Sequence, residues 1–274
     1  LQQCISNLDK RGELLIITKE TDPNLEMASV HLDEFAKVGK AILFKNIKGS
    51  KFWAASNLFG TLDRSKFMFR NTLDKVKKLI DLKANPSLVL KNPAKAFYAA
   101  LHAIYAIPIK VRFPRSFHKI LIEDIPQVKC WKEDGGAFIT LPQVYSEDID
   151  NPGIMNSNLG MYRVQLSGND YIKNKEIGMH YQIHRGIGVH QKNANQKGEP
   201  LKVSIFVGGP PAHTFAAVMP LPEGMSEIAF AGILGGRNFR YAKKDGYTIS
   251  ADADFVICGE LHSNDVKPEG PFGD

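Results

Sequence analysis

Two carboxylates stand close together near the end of the 274-residue sequence, in the stretch KPEGPFGD. Glu269 and Asp274 flank Gly-Pro-Phe-Gly, which predicts a tight turn because proline fixes φ and glycine permits positive φ. A rigid turn would hold the two carboxylates at a fixed separation, as acid–base chemistry requires. We therefore interpret this stretch as part of an active site, although most polar chain ends fray in solvent.

Two further stretches carry side chains suited to ligand binding. In SNLGMYR, Asn158 precedes a predicted strand, and Arg163 offers a planar guanidinium that fits a carboxylate or a phosphate. A surface ion pair is the equally good interpretation of Arg163. In MHYQIHRG, His180 and His184 lie four residues apart. No glutamate follows His180, so the HExxH zinc motif is excluded.

Two helix starts complete the set of candidate sites. Arg185-Gly186 precedes a predicted helix and could present backbone N–H groups to a phosphate. In PLPEGMSEIAFAG, Ser226 is a predicted N-cap, and Glu227 falls in the first helical turn, where an acidic residue normally balances the helix dipole. Spacing alone does not connect Glu227 with the histidines. The sequence has no GxGxxG, GxxxxGK[ST] or GxSxG motif, which argues against the usual nucleotide folds.

Strand and helix patterns alternate in the first hundred residues, as in an α/β domain. Strands are predicted at 14–18 and 41–44, and a helix over 28–38 would bury Val30, Phe35 and Val38. A second amphipathic helix, RNTLDKVKKLIDL, places four apolar residues on one face, namely Leu73, Val76, Leu79 and Ile80. The helical pattern PAKAFYAALHAIYA then leads into a connector marked by prolines. We therefore predict two domains, residues 1–110 and 111–274.

The second half is rich in strand patterns and predicts a barrel-like α+β domain. Its candidate strands are AFITLP, GMYRVQLSG, EIGMHYQIH, PLKVSIFVG and DFVICGELH. Two helices are predicted within this half, over 185–196 and 210–220.

Composition limits the class of protein. Hydrophobic content of 43% and charged content of 23% are ordinary for a globular domain. The longest apolar stretch, residues 97–109, is shorter than the ~20 residues that span a bilayer, and no signal-peptide pattern opens the chain. Three separated cysteines predict reduced thiols. These features favour the cytoplasm.

Positive charge is concentrated in one stretch. Residues 64–119 contain 13 Lys and Arg against two acidic residues. Such a stretch can bind nucleic acid, so a basic nucleic-acid-binding module is one alternative function. No nucleic-acid motif accompanies the charge, and a solvated helix face explains it equally simply.

Five blocks taken in order resemble the UbiD-type carboxy-lyases, which are reversible decarboxylases that use prenylated FMN. The blocks are CWKEDGGAFITLP, NLGMYRVQ, GMHYQIHRG, MPLPEGMSEIAFAG and PEGPFGD, and SNLFG at residues 56–60 resembles a further block of that family. The resemblance implies a small α/β N-terminal domain followed by a flavin-reductase-like split β-barrel domain, an α+β fold overall.

The same resemblance implies a set of site residues. Asn158, His184 and Glu227 would hold a divalent metal, typically Mn²⁺, with K⁺ as a second cation. Arg163, Glu269 and Asp274 would form the acid–base network. The prenylated FMN would be lined by Met161, Tyr162, Arg163, His180, Tyr181, Gln182, Arg185, Gly186 and Met219.

The implied function is reversible non-oxidative decarboxylation of an aromatic or α,β-unsaturated carboxylic acid. The flavin would act as electron sink, while a protein acid replaces CO₂ by a proton. A flavin prenyltransferase would supply the cofactor, and the protein would form a homo-oligomer. Family members continue past PEGPFGD into a C-terminal domain. We therefore expect this chain to fray at Asp274, to bind FMN weakly and to show no appreciable decarboxylation. A non-catalytic flavin- or phosphate-binding fragment is the second alternative.

Overall fold

The structure is a computed structural model that describes residues 1–84, 97, 100–221, 225–263 and 266–273. Asp274 and most of the first half of the predicted helix PAKAFYAALHAIYA lie outside these residues. Within this part of the chain, the fold is a mixture of helices and several small sheets.

The N-terminal part contains a three-stranded sheet with helices around it. Strands β1, β2 and β3 span Leu14–Ile17, Ala41–Phe44 and Ala54–Ser56. The strand β1 runs parallel to β2, and β3 pairs with β2 in the antiparallel direction. The helices are α1 (Gln2–Lys10), α2 (Glu26–Ala36), α3 (Leu62–Met68) and α4 (Leu73–Ala84). The two strands and the two helices predicted in this part are therefore confirmed.

The predicted face of α2 is correct for Val30, which packs against a small core, and wrong for Phe35 and Val38. Met27 is the buried residue of this helix and belongs to a small core with Ile42 and Phe44 of β2. Phe35 is 54% exposed and Val38 is 74% exposed. The helix ends at Ala36, and Val38 has φ 54°, so the chain has left the helical repeat that the prediction extended through it.

The second part of the chain is built on an antiparallel sheet with the strand order β13-β10-β6-β7. Short sheets, β12-β11-β4 and β5-β8-β9, flank it. The strands are β4 (Ile109–Lys110), β5 (Phe138–Ile139), β6 (Gln143–Glu147), β7 (Ser157–Gly160), β8 (Arg163–Gln165), β9 (Gly178–His180), β10 (Leu201–Val207), β11 (Arg240–Lys244), β12 (Tyr247–Ser250) and β13 (Phe255–Leu261). The helices are α5 (Gly186–Gln196), α6 (Pro211–Val218) and α7 (Glu227–Gly235).

The candidate strand GMYRVQLSG is divided in the structure. Strand β7 ends at Gly160 and β8 begins at Arg163. Between them the Met161 N–H donates to the Ala217 carbonyl of α6 at 2.9 Å, so this donor is not available to a neighbouring strand. The break moves Arg163 onto a different sheet from Asn158.

Both faces of the four-stranded sheet are buried. Phe206 of β10 packs in a core with Leu159 and the inner residues of α6 and α7. The neighbouring side chains Val203 and Ile205 point to the other face and pack with Ile187 of α5. This alternation follows from the two-residue repeat of a strand. The sheet therefore fixes α7 and α5 on opposite sides of β7, where Asn158 lies.

The C-terminal end of α7 is capped by side chains from earlier parts of the chain. The Thr72 hydroxyl donates to the Leu234 carbonyl at 2.7 Å, and His102 Nε2 lies 2.8 Å from the Ile233 carbonyl. Burial lowers the pKa of His102, so its neutral ring donates from Nε2. Gly232 lies directly against the Tyr105 carbonyl, since a Cβ there would approach that oxygen to 1.9 Å. These contacts attach Thr72 and residues 102–105 to the C-terminal end of α7.

One member of the basic stretch is not on the surface. Arg64 is 2% exposed and donates to the carbonyls of Gly39 and Asn57. Its Nε also lies 3.4 Å from Glu13 Oε2. Arg64 therefore stabilises the N-terminal fold and cannot contribute to a nucleic-acid surface. Separately, none of the helices in the described ranges is both long enough and apolar enough to cross a membrane.

Candidate active site

The last described segment, residues 266–273, lies docked against the body of the protein, and we call it the strap. The Gly270 N–H donates to Gln165 Oε1 at 2.8 Å, and the Gly273 N–H donates to Asp134 Oδ1 at 2.6 Å. The Gly135 N–H donates in turn to the Pro271 carbonyl at 2.7 Å. The expected fraying concerns Asp274, which lies outside the described residues, so it stays a prediction.

The strap places Glu269 against Arg163. The Arg163 Nε donates to Glu269 Oε1 at 2.7 Å, and Nη2 donates to Oε2, so the pair is bidentate. The Glu269 side chain is 9% exposed and that of Arg163 is 34% exposed. Such charge-assisted pairs fix both distance and orientation. The structure therefore unites two of the three predicted acid–base residues, and the third, Asp274, is outside the described part of the chain.

His180 joins this pair from the neighbouring strand. Its Cα is the register partner of Arg163 in the β8–β9 pairing. The His180 Nδ1 lies 3.3 Å from Arg163 Nη2 and 3.6 Å from Glu269 Oε2. The Phe272 ring covers the other side, with its centroid 5.0 Å from Arg163 Cζ. Arg163 is thus held between a carboxylate, an imidazole and an aromatic ring.

Asn158 of β7 and Glu227 of α7 are both near Tyr162, and we call these three residues the second cluster. The Tyr162 hydroxyl donates to Asn158 Oδ1 at 3.2 Å, while the buried Asn158 Nδ2 has no hydrogen-bond partner among the described residues. Burial raises the pKa of Glu227, against the opposing effect of the backbone N–H groups of Glu227 and Leu159. No cation in the described part of the chain contributes to this pKa. A partly buried carboxyl without a cation fits a metal ion of oxygen-ligand preference.

The start of α5 also approaches Asn158. A Cβ on Gly186 would lie 2.2 Å from Asn158 Oδ1, so this position has no room for a side chain. His184 is exposed in the turn before the helix, and its imidazole forms no hydrogen bond or ion pair with other described residues. No cluster of three His, Cys, Asp or Glu occurs within the described ranges. The predicted metal set of Asn158, His184 and Glu227 stays a prediction.

The Ser226 N-cap is confirmed in position only. Ser226 is the N-cap residue of α7, but its side chain makes no capping hydrogen bond, and its buried hydroxyl has no partner in the described part of the chain. The free hydroxyl stands directly beside Glu227 in the sequence. One buried polar atom without a described partner therefore lies next in sequence to the candidate metal residue Glu227.

The predicted flavin-lining residues are distributed around these clusters. Tyr162 and Tyr181 pack edge to face with their ring centroids 6.2 Å apart, and burial raises the pKa of both phenols. Arg185 Nε lies 3.3 Å from Gln182 Oε1 in the turn before α5. Met219 is 41% exposed just after α6.

A large open cavity of about 2220 Å³ borders the site. Glu269, His184 and Tyr181 contribute to its wall, together with apolar residues of β10 and β13. The cavity exceeds the roughly 300–1,000 Å³ of an ordinary ligand pocket, so it can hold a flavin-sized molecule with further space.

Sequence reasoning missed the residues that bind the strap. Asp134, Gln165, Asn169 and Tyr171 all bond to its backbone. The available signal was the pair Gly135-Gly136, where a Cβ would lie 2.1 Å from the Gly270 carbonyl oxygen and 1.8 Å from the Ser167 carbonyl oxygen, respectively. Adjacent glycines without room for a side chain mark a close backbone approach.

Two family models match most of the chain. Residues 108–274 match the 3-octaprenyl-4-hydroxybenzoate carboxy-lyase Rift-related domain, and residues 5–83 match the corresponding N-terminal domain. The chain belongs to the UbiD carboxy-lyase family.

The chain is also similar to individual known proteins, in sequence or in fold. The chain is 36% identical to a 4-hydroxybenzoate decarboxylase component of Chlamydia pneumoniae, over 100% of this chain and 47% of that protein. Its fold is similar to vanillic acid decarboxylase of Sedimentibacter hydroxybenzoicus in closed form, with TM-score 0.82 and 21% identity, covering 100% of this chain and 57% of the other. Its fold is also similar to the UbiD-class enzyme HmfF from Pelotomaculum thermopropionicum in complex with FMN. The TM-score is 0.76 at 20% identity, covering 100% of this chain and 57% of the other. The chain spans about half the length of the curated relatives it matches.

Proposed function

We propose that the protein is a reversible, non-oxidative decarboxylase of an aromatic or α,β-unsaturated carboxylic acid, dependent on prenylated FMN and a divalent metal. The bidentate pair of Arg163 and Glu269 carries this proposal. The two residues are 106 positions apart in sequence and meet at the edge of a cavity. The chain also belongs to a family whose members include carboxy-lyases solved with FMN and with prenylated FMN.

Each residue of this pair has a defined task in the proposed reaction. The Arg163 guanidinium orients the substrate carboxylate and fixes the Glu269 carboxylate beside it. Asp274 is the proposed donor of the proton that replaces CO₂, within hydrogen-bond reach of the reacting carbon or through one water. Glu269, whose carboxylate is paired with Arg163, is the proposed base that takes a proton from solvent and passes it on to Asp274. Prenylated FMN, when bound, supplies the electron sink.

The metal would lie at the second cluster. Asn158, Glu227 and His184 would hold Mn²⁺, with K⁺ as a second cation, since amide, carboxylate and imidazole ligands together suit manganese. Arg185 and the N–H groups that begin α5 would bind the flavin phosphate. The close approach of Gly186 to Asn158 Oδ1 and the raised pKa of Glu227 support this placement.

Gly186 provides a test of the metal site that removes no ligand. We expect Gly186→Ala to displace Asn158, because the added methyl group would overlap its Oδ1. Bound manganese should fall at least tenfold, by the general sensitivity of such sites to ligand orientation. Elemental analysis of purified protein measures it. Gly259→Ala is the matched control, since a Cβ at Gly259 meets nothing within 4 Å. Equal metal content in the two variants would contradict the placement.

The proposal also covers the domain organisation, the source of the cofactor, the cellular compartment and the oligomeric state. We propose that residues 111–274 form a flavin-binding split β-barrel and residues 1–110 a separate α/β domain. The short sheets around β13-β10-β6-β7 are consistent with a barrel of this kind. A flavin prenyltransferase would supply the cofactor, in the cytoplasm, and the protein would assemble as a homo-oligomer.

The deciding experiment measures CO₂ release from a set of aryl and α,β-unsaturated acids. The chain is supplied with prenylated FMN and Mn²⁺, and an Arg163→Ala variant provides the background. Release above that background supports the proposed function.

A non-catalytic flavin-binding role is the second candidate. The observation in its favour is the cavity of about 2220 Å³, whose wall includes the predicted flavin-lining residue Tyr181. Saturable FMN binding, followed by flavin fluorescence, without CO₂ release from any acid would support this candidate and count against the first.

A further inference from the structure

Strand β8 binds the strap at two adjacent residues of one face. Arg163 and Gln165 are two positions apart in β8, so their side chains leave the strand on the same side. Arg163 binds the Glu269 carboxylate, while Gln165 Oε1 accepts from the Gly270 N–H at 2.8 Å. Gln165 is fully buried, and its Nε2 donates to the Ser167 carbonyl at 2.9 Å. This second bond determines that the oxygen, not the nitrogen, faces the strap.

Asp134 fixes the strap on the far side of Glu269. Its Oδ1 accepts from the Gly273 N–H at 2.6 Å, and its Oδ2 accepts from the N–H groups of Cys130 and Trp131 at 3.1 and 2.9 Å. Asp134 is 4% exposed, so these bonds are protected from water. Both ends of its carboxylate are therefore committed to backbone donors.

The glycines of the strap complete the fit. A Cβ on Gly273 would lie 2.4 Å from the Cβ and Cγ of Trp131. The strap backbone is thus in contact with the indole as well as with Asp134. The strap backbone therefore has to pass close to both Trp131 and Asp134 to make all these contacts together.

We propose that Gln165 and Asp134 are positioning residues, which hold the strap so that the Glu269 carboxylate meets Arg163. The role in catalysis rests on the proposed function, whereas the role in holding the strap does not. An acid–base group must be held within hydrogen-bond reach of the reacting atom. A carboxylate on an untethered segment would sample many positions, and ordering it during turnover would cost conformational entropy.

Cleavage after Glu269 by a glutamyl endopeptidase tests the proposal without any cofactor. Gln165→Met keeps the side-chain volume but leaves the buried Gly270 N–H unpaired. We expect cleavage of the Glu269–Gly270 bond in native protein to rise about tenfold, because loss of a buried hydrogen bond increases local opening. Gln143→Met is the matched control, since Gln143 is equally buried but bonds to Gly208 and Thr214.

A second variant and a second readout keep the test independent of one substitution. In Asp134→Asn, an NH₂ group replaces one carboxylate oxygen. This group would face a backbone N–H, either that of Gly273 or those of Cys130 and Trp131, and it could not accept a hydrogen bond from it. The protein has two tryptophans, so in a Trp53→Phe background Trp131 alone reports contact with the strap. We expect acrylamide quenching of Trp131 fluorescence to increase in Gln165→Met and in Asp134→Asn, but not in Gln143→Met.

The possible results separate the two proposals. The positioning role would be overturned if Gln165→Met and Asp134→Asn showed the same cleavage rate and the same fluorescence quenching as Gln143→Met. In protein with prenylated FMN, kcat should fall in both strap variants while KM changes little. An unsubstituted chain without decarboxylation would count against the proposed function, and the cleavage and fluorescence results would still decide whether these residues hold the strap.

Discussion

In protein that decarboxylates an acid with prenylated FMN and Mn²⁺, replacing Glu269 by glutamine is expected to lower the rate by about 10²–10⁴-fold, the usual contribution of a general acid–base group. Glutamine has nearly the same shape and retains one oxygen for Arg163, so the fold should change little. It cannot transfer the proton. The measurement is CO₂ release under single-turnover conditions, together with a thermal unfolding curve for each protein.

The controls for this prediction distinguish chemistry from structure. Glu260→Gln alters another carboxylate that borders the same cavity, and it should leave the rate unchanged. Arg163→Leu should remove activity as well, but it should also destabilise the protein by about 1–3 kcal/mol in urea unfolding, because Glu269 is left buried and unpaired. Adding Glu269→Gln to Arg163→Leu should recover stability without recovering activity. A Glu269→Gln protein with the full rate would show that the proton is transferred elsewhere.

Replacing Glu227 by alanine is expected to abolish bound manganese, from about one ion per chain to background. A carboxylate supplies the negative charge that divalent manganese favours, and neither Asn158 nor His184 can replace it. Elemental analysis after dialysis measures the loss. Glu260→Ala serves as the control on an unrelated carboxylate. Retention of manganese at the unsubstituted level would mean that the metal lies elsewhere.

The pKa of Glu227 predicts an accompanying effect on the metal-free protein. Burial raises the pKa of this carboxyl in the folded state, so the folded state binds its proton more tightly than the unfolded state. Its contribution to stability is therefore lost as pH rises through the folded pKa. Glu227→Gln should make the metal-free protein more stable at pH 7, and the gain should disappear near pH 4. Urea unfolding at the two pH values measures this, and a loss of stability at pH 7 would contradict it.

The spacing of apolar residues predicted the secondary structure correctly where a segment followed a single strand or helix repeat. The apolar strand AILF and the helix over 73–84 were found because burial on a fixed repeat determines them. The division between Gly160 and Arg163 was not predictable in this way, since the Met161 N–H bonds to Ala217 on a helix more than fifty residues later. Val38 was misplaced because its backbone conformation depends on where α2 ends.

The candidate site depended on resemblance rather than on spacing. No local pattern connects Arg163 with Glu269, because the strap that joins them returns over a hundred residues. Gln165 and Asp134 were missed for a related reason. Both bind backbone atoms of a distant segment, and such contacts leave no charge pattern or repeat in the sequence. The tertiary fold, rather than any motif, selects these residues.

Helix α7 connects the candidate metal residue Glu227 with Thr72 and His102 at its other end. Its nine residues cover about 13 Å, with Glu227 at the first position and the carbonyls held by Thr72 and His102 at the other end. Because backbone hydrogen bonds fix the length of the helix, a displacement of Thr72 or His102 along its axis is expected to displace Glu227 as well. The position of this candidate metal residue is therefore linked to residues more than a hundred positions earlier in the chain.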